Sequence, residues 1–433
     1  MNYRTYKIND TITLSHIKTD RFKNARLSVV LTVPADTELS PINSMLLPTA
    51  FRGTERFRSF RDFCRRSEEL YAAAVSDIHG RSGDCQTVGM RASMLSDAYI
   101  SSEDRAAGFS ILDGVAEMAE ELFFSPLYRA EDLETDKKNR IDIIKGRKNH
   151  PYAYGKYRFA KLMFGGDSYG LSLGGEEKQI AGITPDDLRR RREALVASAP
   201  VDIFYCGTAD AEEVARVMEN HLRGFRGKSV DSLPVSVVRC AGEPRSFIEE
   251  GLYTQSNLFM GFRTGTVLSD REYYATELMN IIFGDSSTSK LFMDLREKKS
   301  LCYFCGSSYD EIKGVIAVGC GIDGENYENA REEILLQLDE IKRGNITDGE
   351  LEMAKHSVEN DCRSAEDHPE DYELFGSEAR YFGGPQTIGE YRLGVMAVTK
   401  EEVAEAAKRV TLDTTYMLRG TLKGGEEDLE IDR

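Results

Sequence analysis

The sequence predicts an α+β fold made of two similar halves, each a mostly antiparallel sheet with helices packed on one face, arranged around a cleft. Three observations predict it. The chain has 433 residues, more than one ordinary core encloses. Its two halves repeat one order of elements: strand, helix, a pair of strands joined by a turn, helix. Strands interleaved with helices in this order bury their apolar faces as a sheet layer against a helix layer.

In the first half, "RLSVVLTVPADTELS" reads as a strand running into a turn. A helix follows, and then "LYAAAVSDIHGRSGDCQTVGMRAS" reads as two strands around a Gly-rich turn. "AAGFSILDGVAEMAEELFFSP" is a helix stopped at Pro126. "PVDIFYCGTAD" is the strand that ends this half. In the second half, "SNLFMGFRTGTVLSD" repeats the strand and turn, and "LCYFCGSSYDEIKGVIAVGCGID" repeats the strand pair. Ala330, Ile334, Leu338 and Ile341 form one stripe of the next helix, with Gly344 placed to end it. Gly, Ser and Pro cluster in "LRGFRGKSVDSLPVSVVRCAGEP". The expected domains are therefore 1–225 and 246–433, with a linker at 226–245.

The chain carries 56 basic and 73 acidic side chains, a net charge of -17. That balance opposes binding to nucleic-acid phosphates, which requires clustered Lys and Arg. The first twenty residues lack the apolar segment and cleavage site of a signal peptide, and no run of about 18 apolar residues occurs, so a cytoplasmic protein with no membrane partner is expected. The eight cysteines are accordingly expected as reduced thiols. Cys302 and Cys305 have the spacing of a redox motif, but they sit in a strand pattern rather than at a helix start. Of the six histidines, none pairs with another at the three- or four-residue spacing of helical metal ligands.

"LLPTAFRGT", "LFMDLREKKSLCYFCGSS" and "MFGGDSYGLSLGGEEKQIAGITPDDL" resemble the pitrilysin, insulinase and mitochondrial processing peptidase family, and the resemblance runs over nearly the whole chain. Its active members carry H-x-x-E-H on one helix, with a distal Glu as the third zinc ligand. Alignment on Phe51-Arg52-Gly53-Thr54 places Ser44 and Pro48 in the two His slots and Leu47 in the Glu slot. Ser is a poor zinc ligand, Leu and Pro are none, and no base remains to take a proton from a bound water. The distal Glu slot falls at or beside Ile143, next to Asp142. An Asn that active members place on the edge strand is matched by Ala73. The resemblance thus implies no metal on this chain.

The resemblance also implies a substrate-binding pair from the second half: Arg296 and Tyr303, seven residues apart in "LFMDLREKKSLCYF". "SSTSKLFMDLREKK" reads as a helix capped by Ser286, Ser287 or Ser289, with Arg296 near its end and Tyr303 on the next strand. Guanidinium and phenol groups suit a peptide carbonyl and its developing oxyanion. Some members of the family are heterodimers in which one subunit bears the metal and the other bears this pair. The expectation is a zinc-less subunit, related to the family's inactive bacterial paralogues. It would cleave nothing alone and would bind peptide beside a metal-bearing paralogue, which would hold the zinc. A scaffold or peptide-binding protein with no part in catalysis is the alternative, as in the family's respiratory-complex core subunits.

Overall fold

β-branched and aliphatic residues dominate "NARLSVVLTVP", and the computed structural model, which describes residues 3–422, places them in one of the two longest strands of the first sheet. The strands of that sheet are β1 (Tyr3–Lys7), β2 (Ile12–Lys18), β3 (Asn24–Pro34), β4 (Ala74–Ser82), β5 (Cys85–Leu95) and β6 (Val201–Gly207). Their order is β1-β2-β6-β3-β5-β4. Only the β2–β6 pair is parallel. The second sheet contains β7 (Arg245–Gly251), β8 (Ser256–Arg263), β9 (Cys302–Asp310), β10 (Val315–Ile322) and β11 (Thr411–Gly420), in the order β7-β11-β8-β10-β9. Here only β7–β11 is parallel. Strand for strand, the second order repeats β2-β6-β3-β5-β4, so the internal repeat read from the sequence is a repeat of topology.

Turn chemistry explains both hairpins. Gly83 takes φ +55° between β4 and β5, and Gly314 takes φ +64° before β10, a region open to glycine. In both sheets the first strand of the hairpin lies at the edge: β4 in one, β9 in the other.

The chain packs as two units. One contains the residues up to Lys145, Leu171–Pro234 and Pro369–Tyr381. Its main core joins Leu27, Val29 and Leu31 of β3 to Met45 and Leu46 of the Leu39–Ala50 helix and to Val115, Met118 and Leu122 of the Ile111–Phe124 helix. The opposite face also has a cover: Tyr372, on the Pro369–Phe382 helix, packs on Ile17, Phe204 and Cys206. Arg380 of the same helix donates to Asp202 of β6, to Thr13 Oγ1 (3.1 Å) and to the Val230 carbonyl (3.1 Å).

The second unit contains Gly146–Gly170, Val235–His368 and, among the described residues, 382–422. Phe159 and Met163 of the Pro151–Met163 helix pack on Phe259, Tyr416 and Leu418 on one face of its sheet. On the other face Phe262 meets Phe283 of the Tyr273–Phe283 helix edge-on, at 6.3 Å between ring centroids. Every residue of β8 is consequently buried. The α+β class and the mainly antiparallel sheets are those the sequence predicts, and each sheet carries an additional helix on its second face. No helix among the described residues is long and apolar enough to cross a membrane.

One expectation is corrected and another is refined. Cys305 and Cys320 lie directly opposite in the β9–β10 register and form a disulfide, with Cα atoms 4.2 Å apart. The eight cysteines are therefore not all thiols, and Cys302 is not the partner of Cys305. The stretch expected as a helix is one, and over Phe292–Lys298 it takes the π form. Its wide turn is visible where the Lys299 N–H reaches the Asp294 carbonyl, five residues back, at 3.1 Å. Leu291 and Leu295 are both fully buried beneath this turn. Of the three candidate caps, Ser289 accepts from the Phe292 N–H at 3.3 Å.

Candidate functional site

The helix with the emptied motif slots, Leu39–Ala50, starts where the Asp36 carboxylate accepts from the N–H groups of Glu38 and Leu39, both at 2.8 Å. It ends in the Gly53-Thr54 step. A Cβ on Gly53 would lie 2.6 Å from the Arg129 guanidinium and 2.8 Å from the Arg58 carbonyl, so no larger residue fits. Thr54 is buried, and its hydroxyl accepts from the Phe57 N–H at 3.0 Å. This frame is structural.

None of the three slots retains a metal donor. Ser44 is fully buried and its hydroxyl donates to the Pro41 carbonyl at 2.7 Å. Leu47 belongs to the apolar core. Pro48 lies inside the helix and lacks the N–H that would bond the Ser44 carbonyl. Arg140 supplies a donor to that carbonyl instead, at 3.3 Å. The distal slot fares no better. Ile143 is 64% exposed on the Ala130–Gly146 helix, and Asp142 is exposed beside it. The buried acid of that helix, Asp136, is held by Arg52 at 2.7 Å.

Sequence reasoning missed the polar group that fills this neighbourhood. Asn43 donates to Gln86 at 2.7 Å, Arg191 donates to Asn43 at 2.6 Å, and Gln86 bonds His79 at 2.8 Å. Burial, and then the charge of Arg140, push His79 down to about 4, so its ring is neutral at physiological pH. Asn43, Gln86 and His79 are remote in sequence, and no spacing rule announces them. His16 is bonded to the Ala209 carbonyl at 3.0 Å and His221 to Glu120 at 2.6 Å. Among the described residues, no group of three or more His, Cys, Asp or Glu could hold a metal ion. The zinc of the active peptidases does not fit these residues, because their side chains are apolar or already bonded elsewhere.

Arg296 and Tyr303 have a different setting. The π-helix carries Arg296, whose guanidinium lies 4.7 Å from the Phe292 ring centroid and 3.7 Å from the Glu297 carboxylate. The side chain is 45% exposed. Ser300, at φ +50°, then turns the chain into β9. Tyr303, near the start of that edge strand, is 59% exposed. Its hydroxyl donates to Asp323, just after β10, at 2.8 Å. That hydrogen bond, with the carboxylate's charge, raises the Tyr303 phenol above its ordinary pKa. The site therefore offers solvent an arginine with five N–H donors and a phenol already bonded to a carboxylate. Asp323 was not legible in the sequence. Ala73, the slot of the missing Asn, is buried just before the edge strand β4.

Comparison with known proteins follows the same lines. Residues 182–358 match the family model for the peptidase M16 inactive domain. The chain is 24% identical to a protein of Bacillus subtilis (strain 168) described as "Probable inactive metalloprotease YmfF", over 95% of this chain and 96% of that one. A solved structure of a conserved protein from Enterococcus faecalis V583 superposes with a TM-score of 0.87 at 23% identity, covering 97% of this chain and 99% of the other. A solved peptidase M16 inactive domain from Pseudomonas fluorescens gives 0.79 at 15% identity, covering 98% and 99%. Topology and end-to-end similarity agree: over residues 182–358 the chain is similar to the peptidase M16 inactive domain, and over nearly its whole length to a probable inactive metalloprotease.

Proposed function

We propose that the chain is the zinc-less subunit of a heterodimeric zinc peptidase, lending Arg296 and Tyr303 to the metal site of a zinc-bearing paralogue. In this reading 1–225 is an N-terminal peptidase-like domain with a degenerate metal site, 226–245 is a linker, and 246–433 is the C-terminal peptidase-like domain that carries the pair. The assembly acts on peptides in the cytoplasm.

One contrast carries the reading. Ser44 and Leu47 of the first half are buried, one bonded to a carbonyl and one packed in the core, whereas Arg296 and Tyr303 stay exposed at the start of an edge strand. A guanidinium at such a place donates to a peptide carbonyl and stabilises the charge that develops there. An edge strand offers an extended peptide backbone pairing beside it. The test mixes the full chain with a zinc-bearing paralogue from the same organism and follows peptide cleavage. Neither chain alone should match the mixture. Arg296→Ala should lower kcat/KM by on the order of 10²-fold with assembly unchanged. Full activity of that variant would instead leave the chain as a scaffold.

A further inference from the structure

We infer that Asp323 sets the hydrogen-bond polarity of Tyr303, so that Tyr303 accepts a backbone N–H of an extended peptide while Arg296 donates to a backbone C=O. The inference rests on the reading of Arg296 and Tyr303 as substrate contacts, and it changes what the second of them does.

The geometry begins with the strand register. Phe304 pairs with Gly321 and Cys302 pairs with Ile322, so Tyr303 has no partner across the ladder. It is the extra residue of a β-bulge on an edge strand, a device that re-aims one side chain away from the sheet. Gly321 is required opposite, because a Cβ there would lie 2.3 Å from the Phe304 ring. The bulge delivers the Tyr303 hydroxyl to Asp323, 2.8 Å away. Both residues are exposed, so solvent and ligand reach them.

A phenol has one proton, and an ionised carboxylate accepts only. While Asp323 is charged, that proton is committed to it. The oxygen then presents lone pairs and takes a donor from a ligand. Arg296 has donors and no acceptor. The two side chains together match the N–H and C=O groups that an extended peptide displays along one edge. A substrate lacking the N–H, such as one with proline or an N-methylated residue there, should bind more weakly.

The test uses the full chain and short peptides selected on it from a random library, each also made with one N-methyl group at every position in turn. In the wild type, one N-methyl position should weaken binding by about tenfold, roughly the loss of one good hydrogen bond. Asp323→Ala should abolish that position's penalty, and Asp323→Glu should keep it. In NMR with ring-labelled tyrosine, the Tyr303 titration should fall back to the ordinary range in Asp323→Ala and stay high in Asp323→Glu, a readout that a merely structural role would not move. An unchanged N-methyl pattern in Asp323→Ala, with Tyr303→Phe still weakening binding, would overturn this inference alone. Wild-type binding by both Tyr303→Phe and Arg296→Ala would overturn the substrate-contact reading and this inference with it.

Discussion

Pro48 does more than replace a ligand. It removes the donor that the Ser44 carbonyl would meet one turn later, and Arg140 reaches across from another helix to replace it. An unsatisfied buried carbonyl costs about 1–3 kcal/mol, so the arginine has a structural task whatever else it does. Arg140→Ala should destabilise the chain by about 1–2 kcal/mol in denaturant unfolding. Pro48→Ala restores the helical N–H. In that background the loss of Arg140 should cost less than about 0.5 kcal/mol, because the pair is coupled. Equal costs in both backgrounds would show that the arginine does not serve the proline gap. The slot residues came from the resemblance to the peptidase family, aligned on Phe51-Arg52-Gly53-Thr54. Arg140 was not legible in the sequence, since its partner lies on a different helix.

At the level of elements, local pattern read the strands, turns and helices but left the type of one helix undecided. Pro126 stops the Ile111–Phe124 helix, and Gly344 takes φ +81° two residues after Lys342. The stretch before β9 satisfies a helical pattern equally well as an α-turn or a π-turn. Burial of Leu291 and Leu295 together, followed by the Ser300 reversal, accompanies the wider form. The Pro369–Phe382 helix shows the same limit. Nothing in its pattern says that it packs on the first sheet, where Arg380 and Tyr381 meet Asp202. Burial raises the Asp202 carboxyl, and the Arg380 charge is the largest influence opposing that rise. Arg380→Ala leaves a buried acid without its cation and should cost about 3 kcal/mol. The loss should appear first as faster amide exchange in β2 and β6. Unchanged protection there would mean that the helix is held by Tyr372 and its apolar contacts.

Over the whole molecule, acidic groups dominate, and some are set inward. Burial, then Glu311 and Asp285, push Glu277 up to about 8, while Tyr391 donates to it at 3.3 Å. Glu311 rises to about 7 and Asp285 to about 6, each chiefly by burial. Tyr273, Tyr309 and Tyr391 share this charge environment. These folded-state values exceed the unfolded ones. The stability they contribute is therefore complete below the ordinary carboxylate range and is lost as pH rises toward about 8. Asp270 and Asp413 are held below their ordinary value, so their share is lost on the acid side. Thermal unfolding should give the highest Tm at or just below about pH 5, falling from there toward pH 8. Glu277→Gln should flatten that fall and stabilise the chain at pH 8 by about 1–3 kcal/mol. Parallel curves for the two proteins would rule out Glu277 as the titrating group.

The sequence by itself determined the two-part plan, the hairpins, the helix stops and the loss of the zinc motif. It also placed Arg296 and Tyr303 on a helix-to-strand connection. The plan, hairpins and helix stops rest on short-range periodicity and turn residues, whereas the emptied zinc motif and the choice of Arg296 and Tyr303 rest on the family resemblance of short motifs. Tertiary structure alone decided that Cys305 bonds Cys320, that Tyr303 bulges from the ladder toward Asp323, and that Arg140 completes a helix it does not belong to. Each depends on strand register or on contact between residues distant in sequence. Such contacts are selected by packing the whole core, and no local period encodes them.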